Sequence, residues 1–311
     1  MATNSIEISV KGKATNVHVN YIDDKPVIVN GRCLKIAGIF DEEWRNDNAI
    51  ENPDQFVHEL KEQDVKADLF TFTELFNHSK LNSGYFIEWD NLAVIPTASY
   101  KQWWENRISQ DTRRNVRTAA KKGVVIERVP FNDELVKGIQ GIYDETPLRQ
   151  GRKFWHYGKE LATIRKENST YLDRSIFIGA HVGGELIGFI KMVVIGRAAS
   201  IMQILSKNNY FDHRPGNALI AKAVEICEQE GLSHLIYCKY VYRSKDDSQL
   251  TEFKRRNGFE RLEHPRYFIP LTTLGKVALK LGWHNGIRGI LPSSLEKFFL
   301  ELREKTYKMR N

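Results

Sequence analysis

The sequence is poor in cysteine, in proline and in uninterrupted apolar runs, and each shortage removes a class of protein. Three cysteines in 311 residues, Cys33, Cys227 and Cys238, are an odd number with no CxxC pair. They exclude a disulfide framework and supply no zinc motif, so no metal is expected. No segment approaches the ~18 continuous apolar residues of a membrane span. The first residues, MATNSIEISVKGK, lack the apolar run of a secretory signal, which makes a cytoplasmic protein the expectation. With 9 prolines and 21 glycines the chain is neither collagen-like nor low in complexity, and no fixed period repeats along it. Acidic residues are also short, 39 against 46 Lys and Arg, a net charge of +7 and a pI of about 9.1. That balance favours acidic or phosphorylated partners. The excess is local: residues 271–311 carry eight basic residues against three Glu, and Lys101 to Arg128 carry eight against Glu105, Asp111 and Glu127.

What is present is a foldable α/β chain, 41% hydrophobic and 11% aromatic. Residues 5–40 hold the β-leaning runs IEISV, NVHVNYI, KPVIV and CLKIAGIF, parted by the turn formers Asp23-Asp24 and Asn30-Gly31. Pro53 opens a helix with Phe56, Val57 and Leu60 inward, and DLFTFTELF and GYFIEWDNLAVI follow as strands. From Tyr100 the pattern predicts one helix through YKQWWENRISQDTRRNVRTAAKKG, closed by Gly123, then a strand at VVIERV. Asn132 caps the next helix, and TPLRQGRKFWHYG leads into another. SIFIGAHV, LIGFIKMVVIG and ASIMQIL, joined at Gly183-Gly184 and Gly196-Arg197, predict an antiparallel hairpin series. LTEFKRRNGFE reads as a helix closed by Asn257-Gly258, ERLEHPRYFIPL as a last strand, and the tail from Leu274 as two basic amphipathic helices.

One stretch, Ser200 to Tyr240, organises the rest. It reads strand, turn, helix, strand, with Pro215 at the first helical position, Leu219, Ala223, Ile226 and Cys227 on one face and Gly231 as the stop. A helix that starts at Pro215-Gly216 followed by small residues aims backbone amides and the positive dipole end outward, a place for phosphate. The amides from Arg214 to Ala218, with the Arg214 guanidinium, are the candidate pyrophosphate ligands.

LIGFIKMVVIG, ASIMQIL, HRPGNALIAKAVEICEQEG and FKRRNGFE together resemble the successive motifs of the GNAT acyltransferases, over about residues 174–270. NLAVIPTASYKQWWENRISQDTRRNVRTAAKKGVVIERV resembles the join in the Fem-type and cellulose-biosynthesis-associated acyltransferases, in which two GNAT-like halves are fused. The resemblance implies a mixed, mostly antiparallel sheet flanked by helices. It implies a degenerate half over 1–99, a catalytic half over 100–273 and a basic helical tail over 274–311. Two positions depart from the family pattern. His213 opens the phosphate turn HRPGNA, completed by Gly216, Asn217 and Ala218, where Gln or Arg is usual. Phe253 or Lys254 stands where many members carry the tyrosine that protonates the leaving thiolate.

The resemblance also implies the chemistry, transfer from an acyl-coenzyme A, most simply acetyl-coenzyme A, to an amine by direct attack in a ternary complex. That needs an anchored pantetheine, an oxyanion site, a base and an acid. The family anchors pantetheine on the strand before the turn, here Met202–Ser206 with Gln203 inside it, and the amides of Leu205 or Ser206 are the oxyanion candidates. Tyr240 and Tyr242 are the nearest phenols for the acid, set against ordinary rim packing. Glu145 and Asp144 are candidate bases. Arg149, Arg152, His156 and Tyr157 crowd a segment without apolar periodicity, which suits an anionic, small-molecule or sugar-linked amine acceptor as well as it suits an ordinary surface loop. Arg113, Arg114 and Arg117 hold a phosphate-rich donor or face water. Two alternatives stand beside this reading: a Fem-type transferase fed by aminoacyl-tRNA, and a non-catalytic binding module whose basic tail makes peripheral membrane contact. The sequence leaves the oligomeric state open.

Overall fold

The computed structural model describes residues 5–10, 13–45, 50–74, 84–149, 151–242 and 248–286. Two compact units emerge, Met1–Asp90 with His264–Asn311, and Asn91–Glu263. In the first, β1 (Ser5–Val10) and β2 (Lys13–His18) form a separate antiparallel hairpin. β3 (Asn20–Ile22), β4 (Lys25–Asn30) and β5 (Ile36–Ile39) pair antiparallel in sequence order. The β3–β4 turn is Asp23-Asp24, both at positive φ, 47° and 57°, as a two-residue hairpin turn requires. α1 (Pro53–Glu62) then carries the chain across to β6 (Leu69–Thr73), which lies parallel to β5. Phe56, Leu60, Phe70 and Phe72 fill the core between them. β7 (Phe86–Pro96) runs from this unit's residues into those of the second.

The expected helix from Tyr100 is broken in the second unit. α2 (Tyr100–Gln102) passes into a π-helical stretch at Trp103–Arg107, Ile108 is extended with ψ 150°, and α3 (Gln110–Lys121) starts afresh. Local capping and distant packing explain the break. The Ser109 hydroxyl accepts the Thr112 amide at 3.1 Å as an N-cap. Arg113 donates to the carbonyls of Trp104, Glu105 and Ile108 at 2.9, 3.2 and 3.0 Å, satisfying the end of the preceding turn. The buried Trp103 indole donates to the Asn257 carbonyl at 3.1 Å. A Cβ on Gly258 would come within 3.0 Å of that indole nitrogen, so only glycine fits there, at φ 79°.

β8 (Val125–Val129), α4 (Asp133–Tyr143), the two-residue strands β9 (Leu148–Arg149) and β10 (Arg152–Lys153), and α5 (Leu161–Asn168) follow. β11 (Ser175–Val182), β12 (Glu185–Ile195) and β13 (Ala198–Ser206) form the antiparallel series expected from their glycine turns. α6 (Pro215–Gln229) leads to β14 (His234–Ile236), parallel to β13, and β14 pairs antiparallel with β7. The sheet order is β7-β14-β13-β12-β11-β8. α3 and α6 pack on one apolar cluster, α4 and α5 on another. After α7 (Gln249–Arg256), β15 (Glu260–Pro270) returns to the first unit and pairs antiparallel with β6, and α8 (Thr273–Lys280) ends the longer elements. The second tail helix expected beyond Gly286 lies outside the described residues. Among the described residues no helix is long and apolar enough to cross a membrane. Each unit is thus a mixed, mostly antiparallel sheet with flanking helices, and the two repeat one topology.

Candidate active site

β13 is nine residues long, yet β14 pairs with only its first three, Ala198–Ser200 against His234–Ile236. β14 is drawn away because the next residues bond to β7, Tyr237 N to the Ala93 carbonyl at 2.8 Å and Ala93 N to the Cys238 carbonyl at 2.9 Å. Cys238 itself turns at φ 48°. On the other side, the register with β12 slips at Met202, since Lys191 faces Gln203 while Met192 faces Ile201. The stretch Ile201–Ser206, with Leu205 and Ser206 in it, therefore has an edge without a ladder partner among the described residues. The helix start lies just beyond. A 3₁₀ turn at Asn208–His213 and Arg214, left-handed at φ 56°, deliver the chain to Pro215, and no side chain caps α6. The amides of Gly216 and Asn217 are thus uncapped, while that of Ala218 reaches the Arg214 carbonyl at 3.5 Å. Two expected ligand side chains are engaged elsewhere: Asn217 donates to Asn257 Oδ1 at 3.0 Å, and His213 Nδ1 pairs with Asp212 at 2.8 Å.

Beyond the splayed strands lies a cluster that gathers the candidate phenol Tyr242 with Tyr237 and with Lys254. Lys254 on α7 is fully buried, its ammonium donating to the Lys239 carbonyl and lying 4.6 and 5.0 Å from the ring centres of Tyr237 and Tyr242. Burial pulls that ammonium down to about 8, with nearby Cys238 opposing. The Tyr242 phenol is pushed up, first by burial and then by Cys238, although the residue is 42% exposed. Tyr240 packs half-buried against the α3–α6 cluster.

A second network faces α4 and α5. Tyr143 and the Gln203 amide lie within hydrogen-bond reach, 3.0 Å from Oε1 and 2.8 Å from Nε2, and His156 Nε2 is 3.5 Å from Gln203 Nε2. The His156 ring sits 4.3 Å from Tyr143 and 4.5 Å from Trp155. Lys159 lies 3.4 Å from His156 Nδ1, pairs with both Glu167 oxygens at 2.7 Å, and stands 3.7 Å over the Trp155 ring. Burial, then Lys159 and Arg149, push His156 down to about 4, so the ring is neutral at physiological pH. Glu145 has its oxygens on the Asn208 and Asn209 amides, at 2.6 and 2.8 Å, with Arg149 3.5 Å away, an arrangement that braces the β13–α6 loop. His156 thus lies beside Gln203, Arg149 lies against Glu145 and the Phe154 ring, and Arg152 and Tyr157 are exposed.

No family model matches the chain. Over 120 residues it is 26% identical to the spermidine N(1)-acetyltransferase of Thermoplasma acidophilum, a match covering 39% of this chain and 71% of that protein. Over nearly its whole length it superposes on the crystal structure of FemX, with a TM-score of 0.56 at 12% identity, covering 88% of this chain and 90% of the other. The chain has the GNAT-type, Fem-like acyltransferase fold. The C-terminal domain of an Agrobacterium fabrum protein assigned as a lysylphosphatidylglycerol synthetase shares it, with a TM-score of 0.54 at 15% identity, covering 85% and 87%. In this fold the β13–α6 turn and the Met202–Ser206 part of β13 are the elements that the sequence resemblance assigned to an acyl donor.

Proposed function

We propose that the chain is a cytoplasmic N-acyltransferase that moves an acyl group from a coenzyme A thioester to an amine. One observation carries the reading: the unpaired β13 edge ends beside an uncapped helix start. Pantetheine would add to the edge as a strand does, and the amides of Gly216, Asn217 and Ala218, with Arg214, would hold the pyrophosphate. The neutral amine attacks the carbonyl carbon, and the oxyanion rests on the Leu205 or Ser206 amide and collapses to break the C–S bond. The nitrogen gives up its extra proton to solvent or to a candidate base, Glu145 or Asp144, and the departing thiolate takes a proton. Tyr240, Tyr242 and the buried Lys254 are the candidates for that last step. The acceptor enters by Arg149 and His156, with Arg152 and Tyr157 on the rim. Catalysis is placed in the C-terminal half. The acetyltransferase relative supports an acyl-coenzyme A donor. Saturation with coenzyme A or acetyl-coenzyme A, at about 100 times Kd, should stabilise the protein by about 2.7 kcal/mol. No shift of Tm at millimolar ligand would sink this donor.

The match to FemX over both units favours a second donor, aminoacyl-tRNA, which the Fem-type resemblance implies. Salt-sensitive binding of charged tRNA in preference to uncharged tRNA would promote it. The α3 arginines offer it little. Arg113 is spent on carbonyls, Arg114 pairs with Asp111 at 2.8 Å, and Arg117 lies 6.0 Å over Trp104.

A further inference from the structure

The loop between β13 and α6 is anchored through side chains and backbone amides on both sides of Phe211. Lys207 pairs with Glu185, and the Tyr210 hydroxyl donates to the same carboxylate at 2.6 Å. The Asn208 and Asn209 amides are taken by Glu145. Asp212 pairs with Lys122 and with His213. Phe211, in the middle, is 70% exposed, more than any other large apolar side chain among the described residues. Its neighbours hold the backbone, so the ring is presented to water from a braced loop. The Arg214 guanidinium carbon lies 5.1 Å from the ring centre, from a left-handed residue that leads directly into Pro215.

A fixed aromatic face in water, flanked by a guanidinium and followed by an uncapped helix start, has the parts of a nucleotide site in chain order: a surface for a base, a cation, then amides for phosphate. We propose that Phe211 is the stacking platform for the adenine of the acyl donor, with Arg214 between base and phosphates. The inference rests on the donor site assigned above. A flat ring face takes a purine from either source of that chemistry, the adenosine of coenzyme A or the 3′-terminal adenosine of an aminoacylated RNA.

Calorimetric titration of the full chain separates these cases. Coenzyme A, adenosine 3′,5′-bisphosphate and 4′-phosphopantetheine are titrated into wild type, Phe211→Ala and Phe211→Trp. In the alanine variant the two adenine ligands should bind about tenfold to a hundredfold more weakly, with 4′-phosphopantetheine unchanged. The tryptophan variant should recover the affinity and show quenched fluorescence on binding. An RNA minihelix aminoacylated on its 3′-terminal adenosine, titrated into wild type and both Phe211 variants, forms the second arm. A loss in that arm alone assigns the platform to RNA. Equal affinity of wild type and Phe211→Ala for every adenine ligand that binds overturns the platform and leaves the donor site standing. If neither coenzyme A nor the charged minihelix binds wild type, the donor site falls and the platform with it.

Discussion

The two units run the same course and finish it differently. Each has an antiparallel hairpin, a helix entered through proline, a parallel strand, and a final antiparallel strand from a distant part of the chain. In the first unit the course is closed. β5 has four residues, of which three pair with β6, and the Thr73 amide at the end of β6 is taken by the Glu42 carboxylate at 2.5 Å. Asn52 caps α1 by accepting the Gln55 amide at 3.1 Å. In the second unit β13 outruns its parallel partner by six residues, nine less three, and left-handed Arg214 stands where a capping side chain would. Proline opens both helices, Pro53 and Pro215, so the difference lies one residue earlier. Topology sets the place of the proposed donor site, while strand length and cap chemistry decide whether a strand edge and helix amides are left open there.

The comparison extends to cations, and there the largest effect is expected. Arg266 in the first unit is matched by the Glu42 carboxylate, 3.4 Å away. Lys254 in the second meets a carbonyl and two aromatic faces instead. A buried ammonium costs stability that a methionine of similar length would not. Its position next to the splayed strands makes it a candidate for use. Lys254→Met should leave Tm unchanged or higher and lower turnover about a hundredfold, the scale of one lost electrostatic contact to a transition state. A variant that folds and turns over as wild type would make Lys254 a packing residue.

Burial moves an acid in the first unit and a base in the second in opposite directions. Glu42 is raised by burial, despite Arg266, so its contribution is present below its ordinary 4.5 and is lost as pH rises through the folded value. His156 runs the other way. Its folded value of about 4 lies below the ordinary 6.5, so its stabilising contribution is present above 6.5 and is lost as pH falls towards 4. The full shift sets a ceiling of about 3 kcal/mol, and the part-exposed ring reduces that to roughly 1–2 kcal/mol. Urea unfolding of wild type and His156→Gln at pH 7 and pH 4.5 measures it. The variant should lose less stability over that interval, and equal losses would show that His156 does not carry the slope.

Local chemistry was legible in the sequence because it acts between near neighbours. The Asp23-Asp24, Gly183-Gly184 and Gly196 turns take the positive φ expected of them, the Asn132 side chain caps α4, and Pro215 opens α6. The chain from Tyr100 to Gly123 was misread as one helix, since its periodicity is helical throughout while the break depends on Trp103 and Ser109 bonding to the far end of α7. The splay of β13 from β14 was invisible for the same reason, being set by Ala93. Lys254 could be noticed only as the residue replacing a family tyrosine, because lysine in an amphipathic helix ordinarily reads as solvent-facing. Gln203 was named for its place on the pantetheine strand, yet its amide meets Tyr143, sixty residues earlier in the chain. No pattern of spacing foretells that pairing.

The smallest effects test the cap contrast itself, and they need to be read as a pair. Arg214→Gly removes the guanidinium and gives the left-handed position the residue that tolerates it best. The relief of strain offsets the extra chain entropy of glycine, so Tm should hardly move, while donor affinity falls about tenfold for the lost charge-assisted contact. Asn52→Ala does the reverse. It deprives α1 of its cap and should cost about 1 kcal/mol of stability, with donor affinity unaltered. If Asn52→Ala weakened coenzyme A binding as much as Arg214→Gly does, the closed helix of the first unit would be part of the donor site, and the division between an open and a closed half would be wrong. If Arg214→Gly instead lowered Tm by the several degrees expected of a lost cap, Arg214 would be holding the helix start, and its left-handed backbone would be a folding device with no ligand to serve.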